Sequence, residues 1–259
     1  MPEPVEDPAD PRLADYVDLR GGRPGGTGPV IVEGLLAVEE LVRSDLTIRS
    51  VLVSPRKQPR LPPLPVATPV YVACDDVLRA TVGFDLHRGV VASAERPTAA
   101  ERDAVLATAR RVLVCERISD LENLGSLFRN ARAFGADAVL LDPETADPLA
   151  RRPVRVSLGH ALRIPTARLT NWPDDLRNHV AAAGLEVVAL TPAGDTDLRD
   201  LPARVAFLVG AEGPGLSSGA LSAAGRRARI PMAAGVDSLN VATAAAIALS
   251  AHFGQTGCR

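Results

Sequence analysis

The sequence predicts an α/β protein in which a small α/β domain precedes a larger domain with a mostly parallel sheet. From Arg111 onwards, short apolar runs alternate with stretches of helical periodicity, an order typical of parallel sheets covered by helices. Hydrophobic residues make up 46% of the chain but aromatic residues only 3%, so the core has to be built mainly from Val, Leu, Ile and Ala. The length of 259 residues suits a small domain joined to a larger one.

The first 110 residues divide into three segments. Residues 1–28 are acidic and Pro-rich and end in the run GGRPGGTG, so we expect a flexible segment. Residues 29–96 are predicted to form the small domain, with a strand and a helix in PVIVEGLLAVEELVRS, strands at SVLVS, PVYVA and GVVASA, and a helix at VLRATVG. Residues 97–110 have the composition of a linker that leads into a helix.

Residues 111–259 are predicted to form the larger domain. RVLVC predicts a buried strand, NLGSLFRNARAFGA a helix, AVLLD a strand and SLGHAL a helix. PTARL and LEVVAL predict two strands with a helix between them, and VAFLVG predicts a further strand. Ligands of such sheets bind beyond the carboxyl ends of the strands, so polar residues and glycines that follow these strands are candidate site residues.

Composition argues against several kinds of site. The formal net charge is -2, so no global positive field marks the chain for nucleic acid. Three cysteines and four histidines lack the spacing of metal ligands, and we expect no metal. No stretch is long and apolar enough to span a membrane, and the N-terminal segment lacks a signal-peptide core, so we expect a cytoplasmic protein.

The first unusual stretch is ISDLENLGSLFRNARAFGAD. Leu124, Leu127 and Phe128 form part of the apolar stripe of a helix. Asn123 is placed to cap this helix, and Arg129 lies off its apolar stripe. Taken alone, these two residues are explained by a helix cap and a solvated charge.

The second stretch is the strand-to-loop junction FLVGAEGPGLS. Gly210, Gly213 and Gly215 allow a backbone or a ligand to approach closely, and Glu212 lies where the strand ends. The loop does not match the glycine patterns that bind nucleotide phosphates. A tight turn explains it equally well when it is considered alone.

The third stretch is IPMAAGVDSLNVATAAAIALSAHF. We expect a strand to end at Ile230 and Ser238 to cap a helix that is apolar on almost every side. Such a helix is buried in the sheet packing or in a subunit interface. Asn240, which we expect in the first turn, would be costly to bury without a partner.

In this order, the three stretches resemble the motifs of the SpoU (TrmH-like) class of SPOUT RNA methyltransferases. The matching patterns are NxGxxxR at Asn123, Gly125 and Arg129, RVSLG at Arg155, Ser157 and Gly159, GxExxGLS at Gly210, Glu212 and Gly215–Ser217, and IPM followed by SLN at Ser238–Asn240. The resemblance covers Arg111 to the C-terminus, while the N-terminal unit is similar to the ribosomal-protein-like RNA-binding domain that often precedes it. Ala242 departs from the pattern, since the family commonly has serine there.

The resemblance implies a C-terminal trefoil knot and S-adenosylmethionine as cofactor. No metal is implied, because the sulfonium already makes the methyl group electrophilic. By analogy with the family, the cofactor pocket would be lined by Leu190, Thr191, Leu208, Gly210, Ile230, Met232 and Leu239.

The resemblance also implies roles for the motif residues in methyl transfer to a ribose 2′-hydroxyl. Arg129 matches the catalytic arginine, and because arginine stays protonated we assign it to the adjacent phosphate and the developing alkoxide rather than to proton removal. The residues that would fix the arginine, the ribose and the loop are Asn123, Glu212, Ser238 and Asn240. The family builds its site across a homodimer interface, so a partner copy is expected.

Two other functions remain open from the sequence. One is an RNA-binding protein of the same fold without catalysis, although such a protein has no need to keep Asn123, Arg129, Glu212 and Asn240 together. The other is a small-molecule enzyme that uses the Gly-rich loop for a nucleotide, which binding of NAD rather than S-adenosylmethionine would reveal. The RNA substrate is expected to be ribosomal RNA, with transfer RNA as the second choice.

Overall fold

The chain forms two structural units, each built on its own β-sheet. The computed structural model describes residues 2–21, 28–98 and 100–256. The first unit comprises the described residues of Met1–Thr98 together with Asp147–Arg163, and the second comprises those of Ala99–Ala146 and Ile164–Arg259. Most of the glycine-rich run that we predicted to be flexible, residues 22–27, lies outside the described residues.

The first unit contains a mixed five-stranded sheet. In their order across the sheet, the strands are β1 (Glu3–Pro4), β4 (Val70–Val72), β3 (Ile48–Val53), β5 (Val90–Ala94) and β2 (Val30–Glu33). β1 and β3 run parallel to β4, whereas β5 is antiparallel to β3 and β2. The α-helices of this unit are α1 (Leu35–Val42), α2 (Asp75–Val82) and α5 (Arg151–Val156). The elements predicted between residues 29 and 96 are therefore confirmed.

The N-terminal segment differs from the predicted flexible chain over residues 1–28. It supplies β1 and a 3₁₀ helix at Pro11–Tyr16, and Val5, Leu13 and Tyr16 are buried in the core of the first unit. The Tyr16 hydroxyl forms a 2.7 Å hydrogen bond with Ser50 Oγ of β3. Burial of these spaced apolar side chains fixes a segment whose Pro-rich, acidic composition suggested a loose one.

Residues 147–163 also depart from the predicted boundary, because they pack in the first unit rather than in the larger domain. Val154 of α5 joins the core formed by β2, β3 and β5, and Arg151 Nη1 pairs with Glu33 Oε2 at 2.7 Å. Gly159 has a φ of +88°, and a Cβ there would lie 2.9 Å from the Ala37 Cα. The predicted SLGHAL helix, residues 157–162, is instead a turn that follows the end of α5 at Val156 and a 3₁₀ helix at His160–Leu162.

The second unit contains a six-stranded sheet in which every pairing is parallel. In their order across the sheet, the strands are β11 (Arg226–Ala228), β9 (Glu186–Leu190), β10 (Val205–Gly210), β6 (Arg111–Glu116), β7 (Ala138–Leu141) and β8 (Thr166–Arg168). The helices are α3 (Arg102–Thr108), α4 (Leu121–Ala133), a π-helix at Leu176–Ala181, α6 (Ser218–Ala223) and α7 (Val241–Thr256). The α/β fold with a parallel sheet is therefore confirmed, although β11 ends at Ala228 rather than at Ile230 and α6 was not predicted.

Strand order in the second sheet brings the candidate loops together. β10 and β6 are neighbours, with Gly210 opposite Glu116 at their carboxyl ends. β9 pairs with β11 so that Leu190 lies opposite Ala228. Because these strands are parallel, the segments that follow them all emerge at the same edge of the sheet.

Candidate active site

The chain turns back sharply after β10, and glycines make this turn possible. A Cβ on Gly210 would lie 2.6 Å from the backbone carbon of Gly215, so no side chain fits there. Gly215 N donates to Ala211 O at 3.0 Å, and Gly213 and Gly215 have φ values of +87° and +66°, which favour glycine. The turn leaves Glu212 exposed at its tip.

Asn240 connects the three motifs. Its Nδ2 donates to Asn123 Oδ1 at 2.8 Å and to Glu212 Oε1 at 2.7 Å. Its Oδ1 accepts from the backbone N–H groups of Ala242 at 3.0 Å and Thr243 at 3.2 Å, which is the arrangement of a helix N-cap. One side chain therefore begins α7 and holds together residues that lie 117 and 28 positions away in sequence.

Two helix caps differ from the predicted residues: the cap of α7 lies two residues after the predicted Ser238, and the cap of α4 lies three residues before the predicted Asn123. Asn240 caps α7, whereas the Ser238 hydroxyl donates to Asp237 Oδ1 at 3.3 Å and is exposed. Asp120 caps α4 by accepting from the Asn123 backbone N–H at 2.7 Å, so the Asn123 side chain is free to meet Asn240. The cost expected for burying Asn240 does not arise, because the residue is exposed and its amide has partners.

Arg129 is exposed on α4, six residues beyond Asn123. In the part of the chain that the structure describes, its side chain has no hydrogen-bond or ion-pair partner. The neighbouring Asn130 instead fixes α4 to α7, with its Nδ2 donating to Ala242 O at 2.8 Å. The helix is thus held by one side chain while the adjacent guanidinium remains available to a ligand.

A cavity of about 480 Å³ lies beside this cluster at the carboxyl edge of the sheet. Six of the seven residues predicted to bind the cofactor line it, namely Leu190, Thr191, Gly210, Ile230, Met232 and Leu239, as do the motif residues Glu212 and Ser238. Leu208 is the exception, because its side chain is fully buried in the core of the second unit. The volume lies in the range usual for small-molecule sites.

Glu116 and Arg117, at the end of β6, are functional candidates that the sequence interpretation missed. Glu116 is 1% exposed, and its carboxylate accepts from Ser217 N at 2.8 Å, Ser217 Oγ at 2.5 Å and Trp172 Nε1 at 2.8 Å. Arg117 Nη2 donates to Gly215 O at 3.2 Å. An acidic residue at the end of an apolar strand was the available signal, because a carboxylate is buried only with partners.

The far end of α7 is fixed by a buried pair. Arg111 Nε donates to His252 Nδ1 at 2.9 Å, and Arg111 Nη2 donates to Thr256 Oγ1 at 2.7 Å. His252 Nε2 forms a 2.9 Å hydrogen bond with Pro202 O. Burial and the adjacent guanidinium lower the pKa of His252, partly opposed by the bond to the Pro202 carbonyl. His252 is therefore held neutral, with Nδ1 accepting and Nε2 donating.

Two further observations concern the possible metal ligands and the buried thiol of the described residues. Within the described ranges, no group of three or more His, Cys, Asp or Glu side chains is placed to hold a metal ion. Burial raises the pKa of the Cys115 thiol, which keeps it protonated and unreactive. No described helix combines the length and the apolar character needed to cross a membrane.

Comparisons with known proteins agree with the motifs. Residues 110–250 match the model of the SpoU rRNA Methylase family. An uncharacterized tRNA/rRNA methyltransferase of Mycobacterium tuberculosis is 45% identical over 94% of this chain and 89% of its own length. The 23S rRNA guanosine 2′-O-methyltransferase RlmP of Bacillus subtilis is 30% identical over 85% of this chain and 87% of its own length.

The chain is also similar to a solved structure over most of its length. The SpoU methyltransferase AviRb of Streptomyces viridochromogenes, solved in complex with the cofactor AdoMet, has a TM-score of 0.79 and 26% identity, covering 95% of this chain and 98% of that one. The resemblance drawn from the three motifs is confirmed, and the chain belongs to the SpoU rRNA methylase family of RNA methyltransferases.

Proposed function

We propose that the protein transfers a methyl group from S-adenosylmethionine to a ribose 2′-hydroxyl of structured RNA. The observation that carries this proposal is the Asn123–Asn240–Glu212 cluster at the side of the 480 Å³ cavity. Three separated motifs converge there, and α4 presents an arginine without a partner among the described residues.

The cavity has the chemistry needed for the cofactor. Apolar side chains of Leu190, Ile230 and Met232 offer a surface for adenine, while the glycines beside Gly210 let backbone groups reach a ribose. When bound, S-adenosylmethionine supplies a methyl group made electrophilic by its positively charged sulfur. Leu208 is buried in the core of the second unit and is not among the residues that line the cavity.

The chain's own contribution is to orient the ribose and to stabilise charge. Arg129 keeps its proton, so it grips the phosphate beside the target ribose and stabilises the oxyanion as the hydroxyl proton leaves to water. Asn240 fixes Asn123 on α4 and Glu212 on the loop, and thereby sets the distance between the arginine and the cavity. Holding the reacting groups in line supplies much of the rate.

Substitution of Arg129 tests the function directly. Arg129→Ala is expected to reduce transfer of labelled methyl groups to RNA about a hundred- to a thousandfold, with stability changed by less than about 0.5 kcal/mol because the residue is exposed. Arg132→Ala, on the same helix and also exposed, is the control. Arg129→Lys is expected to rescue poorly, since lysine lacks the planar fork. Full turnover by Arg129→Ala would contradict the assignment.

Ribosomal RNA is the proposed substrate, and the cytoplasm is therefore the proposed location. The 23S rRNA activity in the name of the relative RlmP supports this choice over transfer RNA. Mapping ribose 2′-O-methyl groups in cells with and without the gene is expected to show one lost position in ribosomal RNA. Loss of a transfer RNA methyl group instead would reverse the choice of substrate.

The first unit is proposed to select the RNA through a basic surface. Arg56, Lys57, Arg60 and Arg88 have no ion-pair partner among the described residues. Ser54 N donates to Gly89 O at 2.9 Å, which brings the segment after β3 beside the turn before β5. Unpaired cations at one end of a sheet suit phosphate binding, which positions RNA without reading its sequence.

Charge removal on this surface separates RNA selection from cofactor binding. Arg56→Gln combined with Arg88→Gln is expected to raise the KM for RNA and to reduce its dependence on salt, with cofactor affinity unchanged. Arg79→Gln is the control, because that side chain is engaged by Asp85 at 2.6 Å. A truncated chain starting near Arg102 is a poorer test, since it would expose the apolar side of Val154 in α5.

A homodimer is proposed from the exposed side of α7. The helix leaves exposed an uncharged stripe of Thr243, Ile247, Ser250 and Gly254, and the preceding loop exposes Val236 and Leu239. A solvated helix face ordinarily carries charges, so this surface suits a second copy of the chain.

The C-terminal trefoil knot implied by the family is also proposed for this chain. Two close backbone approaches support it. A Cβ on Gly194 would lie 2.6 Å from the backbone carbon of Ala228, and the corresponding approach of Gly210 to Gly215 is equally close. Such contacts are expected where one loop passes tightly over another.

A further inference from the structure

Two consecutive residues at the end of β6 hold the second half of the loop that follows β10. The buried Glu116 carboxylate accepts both the backbone N–H and the hydroxyl of Ser217. Arg117 Nη2 donates to the Gly215 carbonyl at 3.2 Å. Since Gly215 also lines the cavity, these contacts act on one wall of the cofactor pocket.

The backbone of Arg117 adopts a conformation that favours glycine. Its φ is +54°, which is strained for a residue with a side chain. Its backbone N–H donates to Asp142 Oδ1 at 3.1 Å, and this buried carboxylate also accepts from Thr145 N and Oγ1. The surroundings therefore impose the strained conformation on residue 117 whatever its side chain.

One polar atom of the Arg117 side chain has no hydrogen bond within the described residues. Its Nε is buried and has no hydrogen-bond partner among the described residues, which is unfavourable for a guanidinium donor. Glycine at this position would remove both the strain and the unsatisfied donor. Compared with glycine, the arginine at this position adds one stabilising contact, its hydrogen bond to the Gly215 carbonyl.

We propose that Glu116 and Arg117 are positioning residues that hold the Ala211–Ser217 loop in the shape that binds S-adenosylmethionine. This inference rests on the proposed function. A loop with two glycines in left-handed conformations, Gly213 and Gly215, has many alternative conformations when unbound. Apparent affinity falls in proportion to the fraction of molecules in the competent shape, so loss of the contacts should weaken cofactor binding.

The test is calorimetric titration of the full-length protein with S-adenosylmethionine. Arg117→Gly is expected to weaken binding at least fivefold while the thermal midpoint stays equal or rises, because glycine suits the backbone. Arg117→Lys is expected to bind with intermediate affinity, since an ammonium can donate to the Gly215 carbonyl. Asp18→Gly is the matched control, because Asp18 also has a positive φ, of +45°, but lies in the first unit.

Kinetics separate positioning from catalysis and from folding. For Arg117→Gly, and for Glu116→Gln as a second variant, the KM for the cofactor should rise while kcat at saturating cofactor stays within about twofold of wild type. Wild-type affinity in Arg117→Gly would overturn the inference, as would a loss of affinity matched by a lower thermal midpoint. If the wild-type protein itself does not bind S-adenosylmethionine, the proposed function fails instead.

Discussion

Asn240 has two roles, as the cap of α7 and as the link between Asn123 and Glu212, so different substitutions at this position should have different effects. Its Oδ1 caps α7, whereas its Nδ2 joins Asn123 and Glu212. Asn240→Asp keeps an oxygen for the cap but replaces the amide donor with a carboxylate facing Glu212. Asn240→Ala removes both sets of contacts.

The two contributions have different magnitudes. Replacing an asparagine cap by alanine costs about 0.5–2 kcal/mol of stability, while aspartate is an equally good cap that also suits the positive end of the helix dipole. Each bond from Nδ2 contributes about 0.5–1.5 kcal/mol. If their loss acts wholly on the transition state, methyl transfer slows about 5- to 150-fold.

The variants should therefore rank differently in stability, measured by chemical denaturation, and in activity, measured by methyl transfer to RNA. Asn240→Asp should lose activity but keep the cap, so it should be more stable than Asn240→Ala by about 0.5–2 kcal/mol, whereas Asn240→Ala should lose both the cap and activity. Ser238→Ala is the control for stability, since within the described residues the Ser238 side chain forms a hydrogen bond only with Asp237. An active Asn240→Asp, or a Ser238→Ala as unstable as Asn240→Ala, would refute the assignment of cap and connector.

Two further predictions concern assembly and pH. Ile247→Glu should convert a dimer into a monomer by light scattering and reduce activity, whereas Val66→Glu, at another exposed apolar residue, should not. Because burial lowers the pKa of His252, the unfolded state binds a proton first as the pH falls below its ordinary value of 6.5, so the free energy of unfolding should decrease there. Urea denaturation should show a smaller decrease for His252→Gln but an unchanged one for His87→Gln.

The regular elements of the fold were predictable because apolar runs and helical periodicity are local signals. β6 and β10 are six-residue strands made almost entirely of buried residues, and a parallel sheet requires such runs. Where the loops converge also follows from strand order, since the ends of parallel neighbours share an edge. The clustering of Asn123, Glu212 and Asn240 could therefore be anticipated from their positions beside strand ends.

The helix caps could not be predicted to the residue. Several polar side chains precede α7, and the choice among Asp237, Ser238 and Asn240 depends on where the chain first adopts helical angles. That point is set by tertiary contacts, including the bond from Asn130 to Ala242 O. The same ambiguity led to Asn123 rather than Asp120 as the cap of α4.

Local sequence patterns also could not show which structural unit residues 147–163 belong to. The apolar positions of residues 147–163, including Val154 and Leu162, show that the segment is buried but not which sheet buries it. Ion pairs within the first unit, such as Arg163 Nη1 with Glu40 Oε2 at 3.1 Å, connect residues 123 positions apart. Pairings at that separation leave no trace in sequence periodicity.

β6 and α7 are connected to each other at both of their ends, directly at one end and through the loop after β10 at the other. Arg111, at the start of β6, is bonded to His252 in α7, while Arg117, just beyond the end of β6, reaches the loop whose tip contacts Asn240. Six strand residues span about 20 Å, and the twelve helical positions from Asn240 to His252 span about 18 Å. The two elements thus cover the same distance in opposite directions, and each is fixed at both ends. A change of register in either element would have to break the buried Arg111–His252 contact or separate Asn240 from Glu212. This explains how a site that includes exposed side chains such as Glu212 and Asn240 keeps a defined geometry.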